Sequence, residues 1–124
     1  MTENQKNVLE TDLEPCGIDP ITGFYRDGYC NTGSGDIGIH TVCVLMTDEF
    51  LEYSRNKGND LTTPRPEFGF FGLKAGDSWC LCALRWEEAR QDGCAPRIKL
   101  ISTNIKTLEI IKLEDLKAYQ IDLN

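Results

Sequence analysis

The chain has 124 residues, with 13 Lys or Arg against 20 Asp or Glu, a net charge of −7, and an apolar fraction of 40%. That is one domain's length, enough to bury a core unaided. Its acidic balance repels phosphate backbones and anionic headgroups, so neither nucleic acid nor membrane is an expected partner, and no window approaches the roughly 18 apolar residues of a spanning helix.

Residues 1–7 are polar and read as a flexible tail, with 8–124 as the folded domain. The tail has no apolar segment of the secretory kind, so the expected location is cytoplasmic. In a reducing compartment six cysteines are expected as thiols or metal ligands before disulfides. Val8, Leu9 and Leu13 are placed to pin a short extended segment to the body. Residues 15–38 are rich in turn signals: Asp19-Pro20, Thr22-Gly23, Asp27-Gly28 between aromatic residues, and a Gly-Ser-Gly run. The Asp27-Gly28 pair suggests a tight hairpin.

Residues 39–46 are apolar on both faces and predict a covered strand. Thr47 is a helix cap, followed by Asp48 and Glu49 where carboxylates suit the positive end of the helix dipole. Met46 and Leu51 stand as a hydrophobic staple, and Gly58 suits the position past the helix end. Residues 59–77 form a long irregular run with three phenylalanines (Phe68, Phe70 and Phe71), expected mainly to fill the edge of the core.

Residues 78–84 predict a second covered strand, with Cys80 and Cys82 on one face. Residues 85–92 predict a short helix with Trp86 and Ala89 turned inward, ended by Gly93. Residues 97–102 alternate as a half-wet strand, residues 107–112 read as its hairpin partner, and residues 113–119 as a closing helix. The order implies an α+β domain: one mixed or mainly antiparallel sheet, two to three helices, and a loop-rich N-terminal third.

Several motifs recur together: Leu13-Glu14-Pro15-Cys16, the run from Asp19 to Gly28, His40-Thr41-Val42-Cys43, Gly58-Asn59-Asp60-Leu61, Gly76-Asp77-Ser78-Trp79-Cys80-Leu81-Cys82, Arg85-Trp86 and Ala95-Pro96. In these the chain resembles the bacterial domain of unknown function family 2237 over nearly its whole length. It departs at Phe71, where the family usually has Pro, at Asn104, where it has His, and at Cys94. The resemblance implies a small, soluble, stand-alone domain with no established activity.

Three chemistries are open. A non-catalytic domain would bind a small molecule or a protein on the loops, with Arg26, Asp27, Asn59, Asp60, Arg85 and Trp86 as candidate contacts. A metal domain would use Cys16, Cys30, His40, Cys43, Cys80 and Cys82, a thiolate–imidazole set suited to zinc, although the spacings match no standard zinc module. The plainer reading of Cys80 and Cys82 is as small apolar residues in a buried strand. A thiol enzyme would pair His40 as base with Cys43 or Cys30 as nucleophile. Binding is the preferred expectation.

Overall fold

The computed structural model describes residues 5–122. It is an α+β domain built on a three-stranded antiparallel sheet. Strand β1 (His40–Leu45) lies between β2 (Ser78–Cys82) and β3 (Arg97–Ile98). Helices α1 (Asp48–Asn56), α2 (Ala83–Gln91) and α3 (Leu113–Lys117) complete the regular structure, with short 3-10 turns between. No helix among the described residues is long and apolar enough to cross a membrane.

Local chemistry accounts for α1. Thr47 is extended at its N-cap and its side chain accepts from the Phe50 amide at 3.1 Å. Gly58 follows at φ 91°, the left-handed residue that a helix stop favours. Met46 and Leu51, the expected staple, are both buried.

The two faces of the sheet hold different cores. Val42 and Val44 pair with Leu81 and Trp79 across β1 and β2, and belong to the main apolar cluster with Phe50, Trp86, Ile98, Leu100 and Leu116. On the alternate face Cys43 pairs with Cys80, and these two join Cys16 and Cys30 in a separate buried cluster. Period-two alternation thus separates an aliphatic–aromatic core from a sulfur core. Trp86 is fully buried, donates its indole N–H to the Pro96 carbonyl at 3.0 Å, and meets the edge of Tyr119 at 5.2 Å between centroids.

The N-terminal segment is tied to the body. Residues 1–4 of the expected tail, like 123–124 of the expected domain, lie outside the described residues, but Gln5 to Asn7 do not behave as a tail. Buried Asn7 donates to Thr11 Oγ1, to the Asp12 carbonyl and to the Ile101 carbonyl, while its Oδ1 accepts from the Leu9 and Thr11 amides. Val8 and Leu13 are buried, as expected of a pinned segment. Asn104, where the related family has histidine, is also buried and donates to the Cys30 carbonyl at 3.0 Å.

Four expected elements change. The second strand ends at Cys82, and α2 begins at Ala83 without an intervening turn, so Leu84 sits on the helix surface at 63% exposure instead of inside a strand. Residues 97–102 are strand only over Arg97–Ile98; Leu100–Ser102 close into a 3-10 turn. The expected hairpin partner is a 3-10 turn over Ile105–Glu109, whose Thr107 hydroxyl bonds that of Thr41 at 2.7 Å. The Asn104 side chain, accepting from the Lys106 amide at 2.9 Å, starts this turn in place of a ladder, a competition that Ser, Thr and Asn win readily. The expected Asp27-Gly28 hairpin is an irregular turn in which Asp27 accepts from the Tyr29 amide and from Asn31.

Candidate functional site

Four of the six cysteines are bonded in pairs: Cys16–Cys43 and Cys30–Cys80. This corrects the expectation of thiols. It also corrects the expected thiol enzyme, because neither Cys30 nor Cys43 carries a free nucleophile. The cause is tertiary: the turn-rich loop of residues 15–38 folds over the outer face of the sheet and lays Cys16 and Cys30 onto Cys43 and Cys80. The Sγ atoms of Cys16, Cys30 and Cys80 all lie within 4.8 Å of one another. The free cysteines are Cys82 and Cys94.

The same loop and residues 59–70 flank an open cavity of about 540 Å³ along β2. β2 is an edge strand, and its residues Trp79 to Cys82 line the cavity floor. One wall is Gly23, Phe24, Arg26 and His40; the other is Asn59, Asp60, Leu61, Arg65, Phe68 and Phe70. Its volume lies within the range of small-molecule sites, and its lining combines aromatic faces with a few polar groups.

The long irregular run does not simply fill the core edge. Phe70 packs partly buried against the core, 5.5 Å from Trp79 between ring centroids. Phe68 is 74% exposed and Phe71 78%, and Phe68 lines the cavity rim. The run is shaped by Asp60, which accepts from the Thr62 amide at 2.9 Å, the Thr62 hydroxyl at 2.8 Å and the Thr63 amide at 3.3 Å, and also from the Thr63 hydroxyl. Donation by the Thr63 hydroxyl, then by the Thr62 amide, holds the Asp60 carboxyl well below the usual carboxylate range. Its charge and its turn therefore persist as pH falls through the ordinary carboxylate range and are lost only in stronger acid.

Two guanidiniums reach this cavity, and neither Arg26 nor Arg65 has a carboxylate partner among the described residues. Arg26 sits at φ 54°, donates to the Gly23 carbonyl at 2.6 Å, and lies over the Trp79 ring at 4.9 Å from its centroid. That stacking presents one flat cationic surface to the cavity interior. The three phenylalanines of the walls, Phe24, Phe68 and Phe70, supply apolar faces beside it.

His40 is fixed by Asp36. Its Nδ1 lies 2.6 Å from Asp36 Oδ1, and the same carboxylate accepts from the His40 amide at 2.9 Å and the Thr32 hydroxyl at 3.0 Å. The Asp36 side chain is fully buried, while that of His40 is 38% exposed. The imidazole stacks on Phe24 at 6.1 Å between centroids. Gly38 makes room for the ring: a Cβ there would stand 2.7 Å from His40 Cε1. Nε2 has no hydrogen-bond partner among the described residues. Directly across the ladder from His40 is Cys82, which lines the same cavity.

The expected ligand contacts divide. Arg26, Asn59 and Asp60 reach the cavity. Asp27 does not; it serves its own turn. Arg85 lies on the outer side of α2, donating to the Lys57 carbonyl at 3.2 Å and approaching Glu88 at 3.5 Å, and Trp86 is wholly core. Of the expected metal set, His40, Cys80 and Cys82 line the cavity, Cys80 within its bond to Cys30. Sequence reasoning passed over Phe24, Arg65 and Trp79 as site residues and read Asp36 as a turn former. Only Asp36 left a local sign, a carboxylate four residues before the single histidine in a glycine-rich loop.

No curated protein matches the chain. A family model described as an uncharacterised protein conserved in bacteria (DUF2237) matches residues 6–120, and with nearly the whole chain inside that match the protein belongs to this family.

Proposed function

We propose that the protein is a binding domain for a small organic anion with a planar apolar body. The observation that carries this reading is the cavity itself, where two arginines without carboxylate partners stand among Phe24, Phe68, Phe70 and Trp79 in a chain of net charge −7. Elsewhere an acidic surface repels an anion; here two guanidiniums outnumber the one lining carboxylate, Asp60, which is engaged by Thr62 and Thr63. The aromatic walls favour a flat body, and a guanidinium favours a carboxylate or phosphate in its plane.

Ligand-observed NMR with a set of aromatic carboxylates and their neutral amides tests it. The carboxylates are expected to bind and the amides not to, with binding lost in Arg65→Gln and Arg26→Gln. Equal binding of amides and acids, or carboxylate binding unchanged in both variants, would refute the anion reading.

Zinc is a second reading, favoured by the grouped sulfurs of Cys16, Cys30 and Cys80 beside Cys43. A tetrahedral zinc site needs its sulfurs about 3.8 Å apart, given Zn–S bonds near 2.3 Å. A disulfide sulfur is not a thiolate donor, so this reading requires reduction of both bonds. Protein purified under strong reductant is then expected to retain close to one zinc per chain by elemental analysis. Metal-free reduced protein would dismiss it.

A further inference from the structure

We propose that Cys82 is a nucleophilic thiol at the cavity wall, with His40 as its base and Asp36 as the residue that positions His40, acting on an activated acyl group (an ester or a thioester).

Three features together set Cys82 apart from the other cysteines, and none needs an assumption about function. It is free, whereas its neighbour two residues back on the same face is bonded to Cys30. It lies opposite His40 in the ladder, beside the irregularity between His40 and Val42, and both residues line the cavity. It is also the residue at which β2 becomes α2, the N-cap of a nine-residue helix, and no side chain caps that end.

The histidine is prepared for a base's role. Buried Asp36 holds Nδ1 and so leaves Nε2 as the nitrogen turned to other partners. A nucleophile, a base and a third group that orients the base make up the recurring arrangement of nucleophilic catalysis, and it is recognised by geometry and not by sequence order. Cys82 and Nε2 are not hydrogen-bonded to each other in this state. Such bonds are often long before a substrate is bound.

The helix start selects the chemistry. The Ala83 amide already donates to the Ile39 carbonyl at 3.0 Å. The next amides of the first turn, those of Leu84 and Arg85, have no partner within the helix and none from a capping side chain, so they are available to the oxygen of a carbonyl under attack by Cys82. In the acylation step the Cys82 proton passes to His40 Nε2, the sulfur–carbon bond forms, and the bond from the acyl carbon to its leaving group breaks. The leaving group takes the proton from His40. Water then attacks the thioester on Cys82, gives a proton to His40, and releases the carboxylic acid as the thiol re-forms.

The substrate's aromatic anionic part rests on the cavity being a ligand site, as proposed above. The thiol's reactivity does not, so a probe too small to need the aromatic walls separates the two. p-Nitrophenyl acetate is such a probe: release of p-nitrophenolate reports the broken bond, and peptide mass spectrometry locates the acetyl group. Cys94, the other free thiol, lies beyond the far end of α2 and serves as an internal reference.

Cys82 is expected to be acetylated faster than Cys94. His40→Gln is expected to slow Cys82 about a hundredfold and leave Cys94 unchanged, and Cys94→Ser to leave the Cys82 rate unchanged. For Asp36→Asn, the ¹⁵N resonances of the His40 ring provide a readout that a general loss of structure would not mimic: a change of tautomer is expected with the remaining amide spectrum preserved. Equal rates at Cys82 and Cys94, or a Cys82 rate indifferent to His40→Gln, would overturn the proposal. So would a Cys80–Cys82 bond in the peptide map, which would make Cys82 an exchange partner of the neighbouring disulfide. Acetylation at Cys82 with no binding of aromatic carboxylates would retain the thiol and discard the anion site.

Discussion

Reducing the two disulfides is expected to lower the free energy of unfolding by roughly 2–4 kcal/mol for each bond. Cys16–Cys43 spans 27 residues and Cys30–Cys80 spans 50. On a chain-entropy account, loops of those lengths are worth about 3.5 and about 4 kcal/mol. A domain of this size has about 5–15 kcal/mol in all. The four cysteines also constitute a small core of their own, and the loop that carries Cys16 and Cys30 has few other buried apolar anchors. Urea unfolding with and without a phosphine reductant measures the effect, and Cys16→Ser/Cys43→Ser and Cys30→Ser/Cys80→Ser assign it to each bond. A denaturation midpoint indifferent to reductant would show that the bonds do not contribute.

The second large effect is expected at Trp86. Trp86→Ala should cost about 3–5 kcal/mol, because it empties a large volume between α2, the sheet and Tyr119. Trp86→Phe keeps most of the apolar volume but leaves the Pro96 carbonyl without its donor, a loss of about 1–3 kcal/mol. The order Ala worse than Phe, in the same urea assay, is the diagnostic result. Equal costs would mean that the hydrogen bond, and not the packing, is what Trp86 provides.

What could be read from sequence was local. Thr47 with its two following carboxylates, the Met46–Leu51 pair and Gly58 mark a helix through capping chemistry that needs no distant partner, and the helix is where they place it. The alternation along residues 39–46 gave the central strand for the same reason, and Trp86 with Ala89 gave the inner stripe of α2. The switch at Cys82–Ala83 was misplaced by two residues because nothing punctuates it: no Gly, Pro or capping hydroxyl stands there. Residues 107–112, read as a hairpin partner, carry a strand's share of β-branched residues, yet the Asn104 side chain accepts from the Lys106 amide and the Thr107 hydroxyl turns to Thr41.

The site was the least legible part, since its members come from four separated stretches. Arg26 and Trp79 meet only because the first loop folds over β2. His40 and Cys82 become opposite only through an irregularity in the ladder between His40 and Val42. A thiol enzyme was among the expectations, with Cys43 or Cys30 as nucleophile, and both of those sulfurs are bonded. Two of the sulfurs are consumed by pairing that no spacing rule reveals, and the free one sits where strand alternation suggests mere burial.

The bonded pairs interleave along the chain: the first runs from 16 to 43, the second from 30 to 80. Neither closed ring lies inside the other, and between them they span every peptide bond from residue 16 to residue 80. A single protease cut anywhere in that interval, including the exposed stretch around Phe68 and Phe71, yields two peptides that remain one molecule. The cavity's most accessible wall can thus be nicked without its halves drifting apart for as long as the sulfurs stay oxidised.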